Sequence, residues 1–385
     1  MMEDGAKELQ KVRKYLSHMV KHNGSDLHIK SGSIFRARIQ GNITKLGKDI
    51  FTPEQADAFA RELLGERYEE FVEKKEMDMV YPFDDKTRFR VNMFYQMYGI
   101  SAVFRVIPVE IPRLDALNVP DVVKSFASKE RGLVLVTGVT GSGKSTTLAA
   151  LIREINEHKE KHIITIEDPI EFVHKDAKCI VNQRSVGQDT LSFGAALKSA
   201  LREDPDIILV GEMRDMETIN LALHAADTGH LVFSTLHTID AKETINRIIS
   251  TFPTNEQNRV RLSLAGVIQG IISQRLVKTV DGGRRAAMEI LVRTSTIEKL
   301  IMDNEDFGIK DAMEEGKDIY KSQSFDQALL DLYNEGVITK DEAKKNATSA
   351  SDLELKISGL NGDEGEKSED GTPKETVEDD VIGLK

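Results

Sequence analysis

The sequence predicts an α/β protein built from two domains and a helical extension. A small α+β domain covers residues 1–108, a linker 109–120, a parallel-sheet domain 121–293, a helical region 294–348 and an acidic tail 349–385. Three observations predict it. Runs with an apolar residue at every second position recur up to residue 107, the mark of half-buried strands. After residue 120, unbroken apolar runs at 133–136, 163–166, 207–210 and 231–233 alternate with long helical patterns. Strands without polar alternation are buried on both faces, so helices must cover them. From Thr294 onward only helical spacing remains.

The first element is an amphipathic helix over 7–22, with Leu9, Val12, Leu16 and Met19 near helical spacing and Asn23-Gly24 to end it. Alternating strands follow at 27–29 and 35–39, then a turn at Gly41-Asn42. Thr52-Pro53-Glu54 opens a helix expected over 56–73: a hydroxyl cap, a proline in the first turn, acids at the positive helix end. Two more alternating strands occupy 88–95 and 101–107. Three of the nine prolines then fall between 108 and 120, which suits a linker. Beyond 360 the Gly, Glu, Asp, Ser and Lys mixture cannot bury a core, and the tail is expected to be disordered.

The net charge of −12 disfavours a nonspecific grip on nucleic acid, and half of it lies in the last 25 residues, with nine acids against three lysines. No run of 18 uncharged apolar residues occurs, and the start lacks a basic-then-apolar leader. A single cysteine, Cys179, excludes an internal disulfide and a multi-cysteine zinc site. A reducing cytoplasm is the expected compartment.

Gly138-Val139-Thr140-Gly141-Ser142-Gly143-Lys144-Ser145 matches the G-x-x-x-x-G-K-S phosphate-binding loop, with a strand before it and a helix from Thr146 after it. Gly138, Gly141 and Gly143 let backbone N–H groups turn inward around phosphate oxygens. The helix N-terminus adds positive potential there. Lys144 is expected between the β- and γ-phosphates of ATP and the Ser145 hydroxyl on Mg²⁺, with Thr140, Ser142 and Thr146 completing the set.

Hydrolysis needs a group that activates water. The strand at 207–210 ends in Gly211-Glu212 where many such strands end in Asp-Glu, which makes Glu212 the candidate base. The strand at 163–166 ends in Glu167-Asp168-Pro169, and Glu167 is the second candidate carboxylate. His230 before the strand at 231–233 and His237 after it are candidate γ-phosphate sensors. Arg88, Arg90 and Arg105 sit on the alternating strands of the first domain and are candidate arginine fingers.

Taken in order, GVTGSGKST, TIEDPIEFVH, LREDPDIILVGEMRD and TGHLVFSTLHT resemble the Walker A, Asp, Walker B and His boxes of the secretion ATPases of type II secretion and type IV pili. Within that superfamily the chain resembles the twitching-motility retraction ATPases, the PilT and PilU types. It lacks the larger N-terminal region and the four-cysteine module usual in extension and secretion members. The helix carrying the AIRNLI-like motif departs from the pattern, with Glu298 and Lys299 in place of arginine and asparagine. The resemblance implies a PAS-like N-terminal domain, a RecA-like P-loop domain and a homo-hexameric ring. It makes Glu212 the Walker B acid, Glu167 the Asp-box acid and His230 the His-box residue, with Arg90 and Arg105 approaching ATP. It further implies a cytoplasmic motor at the pilus base, acting on an inner-membrane platform protein, with a paralogous motor as a further partner and no nucleic acid. Three other readings stand beside retraction: an extension or secretion motor, a nucleic-acid translocase and a non-hydrolysing regulatory partner.

Overall fold

A computed structural model describes residues 2–39, 41–84, 87–107 and 110–359. The N-terminal domain opens with helix α1 (Met2–Lys21), followed by strands β1 (Gly24–Lys30), β2 (Ser33–Ile39) and β3 (Asn42–Phe51). Helices α2 (Pro53–Leu64) and α3 (Tyr68–Lys74) separate these from β4 (Glu76–Pro82), β5 (Arg88–Gln96) and β6 (Gly99–Ile107). The six strands form one antiparallel sheet, β3-β2-β1-β6-β5-β4. Leu27, Phe35, Phe89, Val91 and Phe104 point to its buried face, where α1 supplies Val12, Leu16 and Met19. Arg90 and Arg105 are directly paired across β5 and β6. Each follows a buried residue, so the pleat turns both away from the core.

The helix expected over 56–73 is two. Thr52 and Gln55 start it with reciprocal cap bonds, but Gly65 at φ 54° breaks the ladder, and a short 3₁₀ turn leads into α3. β3 and β4 lacked a clean alternation and were not anticipated.

The second domain contains α4 (Asp121–Phe126), β7 (Gly132–Thr137), α5 (Lys144–His158), β8 (His162–Glu167), β9 (Ile180–Ser185), α6 (Phe193–Ala200), β10 (Ile207–Val210), α7 (Met216–Asp227) and β11 (Leu231–Leu236). It ends with α8 (Ala241–Ser250), α9 (Thr254–Val267), β12 (Ile268–Lys278) and β13 (Arg284–Val292). The sheet order is β13-β12-β7-β11-β10-β8-β9, parallel except for the β12–β13 pair. One face packs on α4 and α5 through Phe126, Leu151 and Ile155. The other packs on α6 to α9 through Leu197, Ile219, Ile245 and Leu264. Because β7, β8, β10 and β11 run the same way, their carboxyl ends share one edge, where open α/β sheets bind ligands.

The C-terminal region is helical: α10 (Ser295–Met302), α11 (Ile309–Glu315), α12 (Lys317–Tyr320), α13 (Phe325–Asn334), α14 (Lys340–Asn346) and α15 (Ala350–Ile357). α15 falls where the acidic tail was expected to begin. Leu353 is fully buried against this cluster, which draws residues 350–357 into the fold. The expected disordered stretch beyond 360 lies outside the described residues. Among the described residues no helix is long and apolar enough to cross a membrane.

Candidate functional site

The loop between β7 and α5 is shaped by its glycines. Gly138, Gly141 and Gly143 take φ of 139°, 80° and 96°, all in the region that favours glycine. Gly138 is further constrained by space, since a Cβ there would sit 2.5 Å from the Gln274 carbonyl oxygen of β12. Cβ atoms at Gly141 and Gly143 would meet nothing, so those backbones border open space. Gly143 caps α5 without a side-chain bond, which leaves the first-turn N–H groups of that helix to an anion.

The space they face is a cavity of about 560 Å³. Thr140, Gly141, Gly143, Lys144, Ser145 and Thr146 line one side, and Glu167, Glu212 and Arg90 are among the residues that line the rest. Gly138 and Ser142 stand behind this surface. The Ser142 hydroxyl is buried and has no hydrogen-bond partner among the described residues. Lys144 is buried, and its ammonium donates to the carbonyls of Gly138 and Val139 at 2.8 and 3.1 Å. Desolvation lowers its pKa, partly opposed by Glu212 and Glu171. A polyanion would satisfy this loop, so glycine backbone, helix end and lysine fit nucleotide phosphates.

Glu212 follows β10 and is held at both oxygens, by Arg214 at 2.7 Å and by His237 at 3.5 Å. Burial pushes its carboxyl up, but the bond from Arg214, its charge and the neighbouring His237 outweigh that and hold it below the usual range. Gly211 occupies the position before it for a steric reason. A Cβ there would lie 3.1 Å from the Ile166 carbonyl oxygen and 3.2 Å from Glu167 Cα. Glu167 differs from Glu212: burial pushes its carboxyl above the usual range, against bonds from the Thr165 hydroxyl (2.7 Å) and the Glu171 N–H (3.3 Å). Two carboxylates of opposite proton affinity thus share one wall.

The expectation for His230 is corrected. It precedes β11, at the amino edge of the sheet, and its Nδ1 is 2.9 Å from the Ala225 carbonyl oxygen. β11 spans six residues, roughly 20 Å at strand rise, and separates it from the cavity. Of the two histidines that flank this strand, His237 at its carboxyl end is the one that lines the cavity. The arginines also divide. Arg90 reaches the cavity and lies 3.9 Å from Asp78. Arg105 is not among the lining residues and donates to the buried Asp26 carboxylate at 2.7 Å. Arg88 borders a separate cleft with Gln183 and Asp189.

Among the lining residues that the sequence did not single out are Arg214, Arg284 and His174. Arg214 is two residues past Glu212, a spacing that was available as a signal. Arg284 is the first residue of β13, paired with Lys278 of β12. Burial depresses the pKa of His174 to about 4, so its ring is neutral.

Residues 2–282 match the family described as type II/IV secretion system protein. The chain is 44% identical over 337 residues to the type IV pilus retraction ATPase PilT of Pseudomonas aeruginosa, a match that covers 87% of this chain and 98% of that protein. It is 40% identical over 377 residues to the type IV pilus ATPase PilU of the same organism, covering 97% of this chain and 98% of that one. In structure it is similar to the pilus retraction motor PilT with bound ADP, with a TM-score of 0.84, 43% identity, and 89% of this chain and 98% of that chain covered.

Proposed function

Because the chain belongs to the type II/IV secretion system protein family of ATPases, we propose that it is the motor that retracts a type IV pilus. The observation that carries this reading is the cavity itself. It combines a phosphate loop, an ionised Glu212 and an arginine from the first domain, in a chain similar over nearly its whole length to retraction motors. Lys144 and the first-turn amides of α5 hold the ATP phosphates. Glu212 orients a water for attack on the γ-phosphorus and accepts its proton as the bond to the β–γ bridging oxygen breaks. His237 and Arg214 hold that carboxylate in place, and Glu167, whose carboxyl burial pushes above the usual range, lines the same wall. Arg90, joined by Arg105 where subunits meet, supplies positive charge to the transition state.

Mg²⁺ bound with ATP would neutralise phosphate charge, and the Ser145 hydroxyl would be its protein ligand. Among the described residues no cluster of three or more His, Cys, Asp or Glu could hold a metal ion. We read the N-terminal domain as PAS-like and the second as RecA-like. The antiparallel sheet with its first and last strands adjacent, and the parallel sheet with its loop after β7, support that reading. The working assembly is a cytoplasmic homo-hexamer peripheral to the inner membrane, acting on a platform protein and alongside a paralogous motor.

Deletion of the gene tests the function, scored for pili that assemble but do not withdraw and complemented with wild type or Glu212→Gln. Normal withdrawal in the deletion strain would remove the retraction assignment. Absent ATP turnover by the purified chain would remove the hydrolytic one.

A further inference from the structure

β13 carries a buried carboxylate with no part in the phosphate chemistry. Glu289 is 6% exposed and pairs in register with Ser273 of β12. Its Oε1 accepts the N–H of Ala241 at 2.8 Å, and the carboxylate also accepts a backbone bond from Phe325. Ala241 is the first residue of α8 and Phe325 the first of α13. A single side chain therefore closes the amino ends of two helices, each of which favours an anion.

Neither helix needs Glu289 as its ordinary cap. Asp240 already accepts the N–H of Glu243, and Ser324 and Gln327 form a reciprocal capping box. Those caps serve the third amide of each helix; Glu289 takes the first, which they do not reach. The neighbouring cation is Arg275 of β12, whose guanidinium stacks 3.8 Å from the Phe325 ring and donates to the Asn346 carbonyl. Burial, with Asp240 adding its charge, pushes the Glu289 carboxyl up to about 7 against these bonds and Arg275.

α8 is joined to β11 by a short segment that carries His237. The rest of that segment is tied to α8: the Thr238 hydroxyl to Thr244 at 2.6 Å, and the Ile239 N–H to the Glu243 carboxylate at 2.8 Å. These bonds tie Thr238 and Ile239, next to His237, to the first turns of α8, the end that Glu289 holds at the Ala241 N–H.

We propose that Glu289 is a positioning residue for the hydrolytic site, fixing the β11–α8 segment that carries His237 and joining it to the C-terminal helices through Phe325 and Arg275. The proposal rests on the reading of the cavity as an ATP site. It makes any displacement of α13 against β13 felt at Glu212, through one buried carboxylate.

The test uses the full-length chain and the variants Glu289→Ala, Glu289→Gln, His237→Ala and the Glu289→Ala/His237→Ala double. Glu289→Ala is expected to lower kcat about tenfold while KM for ATP stays within about twofold, because the phosphate loop is untouched. Glu289→Gln, which keeps an acceptor oxygen, recovers most of that loss. On the His237→Ala background the alanine change costs less than about twofold, since the two act as one unit. Without nucleotide, amides 238–244 exchange about tenfold faster in Glu289→Ala and amides 141–147 do not change. An unchanged kcat, a full tenfold loss on the His237→Ala background, or unchanged exchange overturns the proposal. If wild type turns over no ATP, the reading of the cavity fails, and exchange alone still decides whether Glu289 holds the segment. Should the alanine protein not fold, Glu289→Asp, one methylene shorter, takes its place with the same expectations.

Discussion

His237 Nε2 lies 3.5 Å from Glu212 Oε1, while Arg214 holds the other carboxylate oxygen at 2.7 Å. Val210 and Ser234 are register partners on β10 and β11, and Glu212 and His237 follow that level by two and three residues. Arg214 and the His237 ring thus hold Glu212 from both sides at the cavity wall opposite the phosphate loop, and its carboxyl stays below the usual range.

Glu212→Gln keeps the shape and the bond to Arg214 but cannot take a proton from water. ATP turnover is expected to fall about a hundredfold or more, while affinity for a fluorescent ADP analogue stays within about threefold. Lys144→Ala, by contrast, should lose nucleotide affinity itself. Near-normal turnover by Glu212→Gln would mean that another group activates the water.

The two histidines of the TGHLVFSTLHT segment should separate cleanly. His237→Ala is expected to lower kcat about tenfold through loss of a Glu212 partner. His230→Ala removes one bond near the Ala225 carbonyl at the far end of the strand, worth about 1 kcal/mol of stability, and leaves kcat alone. The reverse pattern in steady-state kinetics would restore His230 to the site.

This pair also shows what the sequence could say. The phosphate loop was legible because its residues are local and each has a backbone reason. Glu212 and Glu167 were legible as strand-end acids. His230 and His237 flank one strand, and only strand polarity separates them: in a parallel sheet the carboxyl end is the ligand edge. Arg214, Arg284 and His174 gather from the segment after β10, the start of β13 and a loop, and such a gathering exists only in three dimensions. The missing Asp before Glu212 was visible, but its cause was not, since it lies in the distance between β10 and β8.

That distance makes Gly211 testable. Gly211→Ala places a Cβ 3.1 Å from the Ile166 carbonyl oxygen, and backbone on both strands cannot yield easily. The expected cost is about 1–3 kcal/mol in urea unfolding. Gly211→Asp should cost more, not supply a useful metal ligand. A neutral result for Gly211→Ala would show that β8 and β10 can separate freely at this edge.

Arg261 of α9 donates from Nη1 to Asp306 at 2.9 Å and to the Ile301 carbonyl at 3.0 Å, and both ionic side chains are buried. Asp306→Ala strands that guanidinium and is expected to cost about 3–5 kcal/mol. Replacing both, as in Arg261→Met/Asp306→Leu, should return most of it, because the desolvation of two charges is removed together. Denaturant midpoints decide the point: a double variant no better than Asp306→Ala would count against a charge-burial origin.

The pH dependence of stability should carry the signature of His174. Burial holds its folded pKa at about 4, against about 6.5 in the unfolded chain. Between those values the unfolded state binds the extra proton, so stability rises with pH. The contribution is complete above 6.5 and is lost as pH falls toward 4. From pH 7 to pH 5 wild type should lose roughly 2 kcal/mol more than His174→Gln, which cannot take the proton. Buried acids with raised pKa values, such as Glu167 and Glu289, push the other way but are common to both proteins and cancel in the difference. Urea unfolding at the two pH values measures it, and parallel losses in the two proteins would place the His174 ring in water with an ordinary affinity for protons.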